Sequence, residues 1–150
     1  MRRPTLLLAA LLAALAGPAM ARDYLKGPDR VQARADSPGV VTSGGKTIWL
    51  AGQTSIESLA GKPLAGDFEG QAREFFARLN ATLGRAGSGL QDLVTMAVFL
   101  TDARHGTRFT EIRREVFGDN FPASALITVH SLAQPAMLVE VQGVAVVGDP

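Results

Sequence analysis

The stretch Val94 to Thr101 reads Val-Thr-Met-Ala-Val-Phe-Leu-Thr, a β-rich run that is apolar on both faces. With period two, Val94, Met96, Val98 and Leu100 share one face, and Ala97 and Phe99 share the other. The run Thr47 to Gln53 behaves likewise, Ile48 and Leu50 opposing Trp49 and Ala51. A sheet with one wet face would alternate apolar with polar residues, so this one is predicted to be covered on both sides. The chain offers two amphipathic helices, which can cover one face. A second subunit is the simplest cover for the other, and an obligate oligomer is predicted.

The first helix follows Asp67, a suitable cap. Phe68, Ala72, Phe75, Phe76, Leu79 and Leu83 recur at helical spacing, while Arg73, Glu74 and Arg78 lie mostly off that face. Gly84, Gly87 and Gly89 end it. Thr107 is predicted to cap a second helix with Phe109, Ile112, Val116 and Phe117 inward and Gly118 as its stop. Arg113 and Arg114, flanked by Glu111 and Glu115, read as a solvated face. Val40–Thr42 and Thr47–Ala51 are predicted to pair as a hairpin about Gly44-Gly45. Ala125–His130 and Leu138–Val147 are the last strands, with a turn at Gln134-Pro135. The order is strand, strand, helix, strand, helix, strand, strand, which predicts an α+β layer.

The N-terminus reads as an address. Arg2 and Arg3 precede a run of Leu and Ala from Leu6 to Ala16, and Ala19-Met20-Ala21 fits cleavage after Ala21. The apolar run is about half the length a membrane span requires. Residues 1–21 are therefore expected to be a secretory signal peptide, 22–36 an extended leader and 37–150 the folded domain. The mature chain is expected to be exported, to the periplasm in a Gram-negative cell, with no membrane span left after cleavage. Without Arg2 and Arg3, 13 of the 15 basic residues remain against 14 acidic ones. That balance argues against nucleic-acid binding, which depends on phosphate neutralisation. The absence of cysteine excludes disulfides and thiolate metal sites.

Glu140 is the sharpest candidate for chemistry. It stands mid-strand among valines, on the face of Gln142, Val144 and Val146. Such a carboxylate is partnered, guards an exposed edge, or is held for use as a general acid or base acting on water. His105 in a polar loop and His130 at a strand end stand at no metal-ligand spacing, so no metal is expected. Ser124 lacks the turn of a hydrolase nucleophile. Gly84, Gly87 and Gly89 follow a helix rather than open one, which suits termination better than phosphate binding.

The segment Phe117-Gly118-Asp119-Asn120-Phe121-Pro122-Ala123-Ser124, followed by the strand of Glu140, resembles the end of the RidA (YjgF/UK114) family of imine deaminases. The resemblance extends from about Asp36 to Val147, through Ser37-Pro38-Gly39-Val40, Ala51-Gly52-Gln53 and Val98-Phe99-Leu100-Thr101-Asp102. It implies a chorismate-mutase-like mixed sheet with two helices on one face and a homotrimer with clefts between subunits. It also implies hydrolysis of 2-imino acids without cofactor or metal. Glu140 corresponds to the glutamate that serves water, and Ser124 to the arginine that binds the substrate carboxylate. Gly39 stands at the family's early tyrosine and Thr110 at its helix asparagine. Gly52 and Gln53 close the strand beside the site. A serine cannot supply a guanidinium's bidentate clamp, so the resemblance implies an imine or enamine deaminase of altered substrate range. The alternative is a non-catalytic trimer that binds a small ligand in the same cleft.

Overall fold

The computed structural model describes residues 21–148. The signal peptide expected over 1–21 thus lies, but for Ala21, outside the described residues. In chain order the elements are β1 (Ala21–Tyr24), α1 (Asp29–Gln32), β2 (Val40–Ser43), β3 (Lys46–Gln53), α2 (Phe68–Gly84), β4 (Leu93–Leu100), α3 (Gly106–Phe117), β5 (Ala123–Thr128) and β6 (Val139–Val147).

The main sheet runs β3-β6-β4-β5. β6 is antiparallel to both neighbours and β4–β5 is parallel, so the sheet is mixed, as the resemblance implied. The two long helices cover one face. Leu50, Met96, Val98, Leu100, Val139, Val141 and Ala145 are buried there against Phe68, Ala72, Phe75, Phe76, Leu79, Leu83, Phe109 and Ile112. Each such aliphatic or aromatic side chain contributes about 1.5–3 kcal/mol. Among the described residues no helix covers the opposite face, and Trp49 is 79% exposed on it.

Local chemistry sets the helix ends. Asp67 accepts a hydrogen bond from the amide of Gly70 and so caps α2, as expected. Past its other end the amide of Ser88 reaches the carbonyl of Leu83, that of Gly87 reaches Gly84, and Gly87 takes φ +69°. This is a Schellman stop, which requires a left-handed residue. Gly118, at φ +62°, stops α3.

Several expectations are corrected. The Gly44-Gly45 turn exists, with φ of +69° and +79°, but its flanking strands do not pair with each other. β2 pairs with β1 and β3 with β6, because the N-terminal residues supply a competing partner. The leader is therefore not simply extended: it holds β1 and the helical turn α1. Arg22 anchors it through an ion pair with Asp92 at 2.7 Å. Val94 does not share the register of Met96, since it bulges between Leu93 and Thr95. Thr107 does not cap α3. The chain enters that helix through a 3-10 turn, Ala103–His105, capped by Asp102, so His105 holds the cap position two residues before Thr107. His105 is half-buried and stacks on Phe68 at 4.1 Å between ring centroids. Glu74 is buried and accepts the amide of Leu59, pinning the preceding loop.

Candidate functional site

Two polar constellations stand out, one on each face of the sheet. The first is Glu140. It lies opposite Phe99 of β4, on the uncovered face. The β3–β6 register slips between Leu50 and Gln53, and Gly52 falls in that bulge. A methyl group at Gly52 would stand 2.2 Å from Glu140 Oε1, so the carboxylate folds over bare backbone that only glycine leaves open. Thr54 Oγ1 donates to the carbonyl of Val139 at 2.6 Å and holds the strands together beside it. Among the described residues, no hydrogen bond or ion pair engages the Glu140 carboxylate. It is half-buried and free to accept a proton from water.

The second constellation centres on Ser124, on the edge strand β5. Asp36 Oδ1 accepts from the Ser124 amide at 2.9 Å and from its hydroxyl at 3.0 Å. Arg113 of α3 donates through Nη1 to the Ser124 hydroxyl and through Nη2 to the carbonyl of Arg34 at 2.6 Å. The sequence reading of Arg113 as solvated is thus wrong: it is 2% exposed, with its guanidinium 5.4 Å from the Phe109 ring centroid. Burial pulls its pKa down to about 10, opposed by the Asp36 charge, so it stays protonated at neutral pH. The sequence held a cue. Arg113 stands four residues from both Phe109 and Phe117, on the helix's apolar stripe.

Beside Ser124 opens a groove of about 540 Å³ along the uncovered face, lined by Asp36, Trp49, Thr95, Ser124, Gln142 and Val144 among others. Its size is that of a small-molecule site. Sequence reasoning missed Asp36 and Trp49 as parts of it.

The remaining candidates are dispersed. Gln53 ends β3 opposite Val141, near Gly52. Thr110 donates to the carbonyl of Gly106 within α3 and lines no part of the groove. Gly39 lies under the N-terminal segment, where its carbonyl accepts the amide of Leu25. Ser124 pairs with Met96 and Glu140 with Phe99, three residues further along β4. An odd offset puts their side chains on opposite faces, about 10 Å apart along the strand and two strands over. One protomer does not unite Ser124 with Glu140. Among the described residues, no His, Asp and Glu cluster could hold a metal ion, and no helix is long and apolar enough to cross a membrane.

Fold and site together define an α+β domain with helices on one face and, on the other, a free carboxylate and a small groove. The fold is that of Rid-family structures, and the chain belongs to the RidA/YjgF/UK114 family. The family model described as endoribonuclease L-PSP matches residues 30–147. A RutC family protein of Pyrococcus horikoshii is 30% identical over 101 residues, covering 67% of this chain and 79% of the relative. The human 2-iminobutanoate/2-iminopropanoate deaminase is 27% identical over 103 residues, covering 69% and 74%. A Rid-family structure from Yersinia pestis aligns with a TM-score of 0.71 at 22% identity, over 84% of this chain and 98% of that one. A YjgF/YER057c/UK114 family structure from Mycobacterium tuberculosis aligns with a TM-score of 0.57 at 27% identity, over 85% and 100%.

Proposed function

We propose that the chain is an exported deaminase that hydrolyses imines or their enamine tautomers to a carbonyl compound and ammonia, in clefts between three copies. The observation that carries this reading is Glu140, an unpaired carboxylate on the uncovered face over the space that Gly52 leaves. In the reaction, Glu140 takes a proton from water as the oxygen bonds to the imine carbon. Glu140 passes that proton to the nitrogen, which becomes the neutral amine of a carbinolamine. The hydroxyl proton is then carried by Glu140 to that amine, and from the resulting ammonium the C–N bond breaks, ammonia leaves with its electron pair and C=O forms. Water is the only co-reactant. The deaminase name of the human relative agrees with this reading.

The groove and Glu140 share the uncovered face, with Gln142 beside Glu140 on β6, so a copy docked on that face would enclose both. The groove also gives substance to a second reading, a non-catalytic trimer in which the groove beside Ser124 binds a small ligand.

A coupled assay separates the two. Imines made continuously by an amino-acid oxidase or a flavin amine oxidase are trapped as semicarbazones, with and without the protein. Deaminase activity lowers the trapped yield. Glu140→Gln should abolish that effect, and Gly52→Ala should reduce it at least about tenfold by displacing the carboxylate, a shift of about 1.4 kcal/mol in the barrier. An unchanged yield across both imine sources would leave only the binding reading.

A further inference from the structure

The groove beside Ser124 has a definite charge character. Among its lining residues Asp36 is the only charged one. Arg113, which donates to Ser124, does not line it and is 2% exposed. Two arms of that guanidinium are committed to the Arg34 carbonyl and the Ser124 hydroxyl. Asp36 uses Oδ1 for Ser124, and among the described residues Oδ2 has no partner. The preceding residue, Ala35, is wholly buried at φ +54°, the single non-glycine residue among those described with positive φ. A strained, buried residue is maintained only where its surroundings over-determine it. Here Arg113 grips the carbonyl just before Ala35, and Asp36, just after it, grips Ser124. The strain fixes the Asp36 carboxylate at the groove's rim. In the same groove stands Trp49, whose exposed ring offers a π face to a cation.

We infer that this groove selects ligands bearing an ammonium or iminium group and disfavours free carboxylates, with Asp36 as the specificity-determining residue. The inference deepens the deaminase reading by naming a substrate class, carboxylate-free imines or imines with a second cationic group. The warrant is charge complementarity. A cation gains a charge-assisted hydrogen bond to Oδ2, while an anion meets a carboxylate and no cationic residue in the lining. Arg113 does not reverse this, because it is buried outside the groove lining and two of its guanidinium nitrogens are already committed.

Trp49 is the chain's one tryptophan, so its fluorescence reports the groove. The test titrates the full chain with three compounds of one shape: 3,3-dimethylbutylamine, 3,3-dimethylbutan-1-ol and 3,3-dimethylbutanoate. Light scattering in parallel keeps the assembly constant. The amine is expected to perturb Trp49 at a concentration at least about tenfold below that of the carboxylate, since a charge-assisted hydrogen bond is worth about 1.5–3 kcal/mol. Asp36→Asn keeps an acceptor for Ser124 and should abolish the preference. A carboxylate that binds as well as the amine, or no response to any of the three into the tens of millimolar, overturns the inference. So does an Asp36→Asn variant that retains the ranking. The ranking in the unaltered protein is decisive even if that variant does not fold. Amine preference without imine turnover would sink the deaminase reading alone. Turnover of 2-imino carboxylates with carboxylate preference would sink this inference alone.

Discussion

Arg113 is a buried charge held by two of its three guanidinium nitrogens, which donate to Ser124 and the Arg34 carbonyl, while its buried Nε has no partner among the described residues. Burial lowers its pKa to about 10, below that of a free guanidinium. Above about pH 10 the folded state therefore binds fewer protons than the unfolded one, so stability rises with pH only in that alkaline range. Across neutral pH the burial cost is constant. Arg113→Ala should destabilise the protein by about 2–4 kcal/mol, leaving a cavity and stripping the Arg34 carbonyl and Ser124 of their donor. Arg113→Met fills the same volume without a charge and should cost less than half as much. Urea unfolding at pH values from 6 to 9 checks both, and the differences should be flat across that range. A methionine variant as damaged as the alanine one would show that the guanidinium's hydrogen bonds dominate its packing. This residue also marks a limit of sequence reading. Glu111-Ile112-Arg113-Arg114-Glu115 has the charge pattern of a wet helix face, and no local feature announces Ser124 and Arg34 as distant partners. Glu140, by contrast, was legible as an isolated carboxylate in an apolar strand.

Periodicity governed what could be read at the level of elements. The apolar stripe of α2, its Asp67 cap and its glycine stop were all visible, because each depends on neighbours within a few residues. The partners of β2 and β3 were not, because strand pairing depends on segments far along the chain. The tie between α2 and α3 was equally hidden. Arg108 reaches Glu69 at 2.6 Å and Glu111 at 2.7 Å, and Arg73 joins Glu69 to Glu115 at 2.8 and 2.7 Å. The Arg108 and Arg73 hydrogen bonds hold Glu69 at a pKa of about 2 rather than 4.5. A lowered carboxylate pKa contributes stability above about pH 4.5 and loses it as pH falls towards 2. Glu69 is 44% exposed, so solvent and salt screen that contribution. Arg108→Met should therefore lower the melting temperature at neutral pH and low ionic strength, by an amount that shrinks in molar salt and vanishes below about pH 2. A loss that is unchanged by salt would assign the role of Arg108 to packing instead.

At the scale of the molecule, the strand pattern that opened the sequence analysis meets a sheet covered on one face only. Trp49 at 79% exposure and Ile127 at 42% lie on the bare side, where β3 and β5 frame the carboxylate of Glu140 and the groove. Large apolar side chains on the uncovered face of a sheet are costly to leave in water, and closed symmetry among identical copies is the common remedy. We propose three copies, as the family resemblance implies, with the groove and Glu140 of the uncovered face enclosed between them. Ile127 tests both ideas, since it is exposed on this face yet lines no part of the groove. The unaltered protein should sediment and scatter light as three copies at micromolar concentration. Ile127→Lys places a charge in the proposed contact and should shift the mass to one copy, with the helix-covered core and its circular dichroism unchanged. If the cleft lies between copies, imine turnover should fall with assembly and recover in proportion when high salt or concentration restores the trimer. A monomeric Ile127→Lys protein with full turnover would instead place the whole reaction on one protomer's open face.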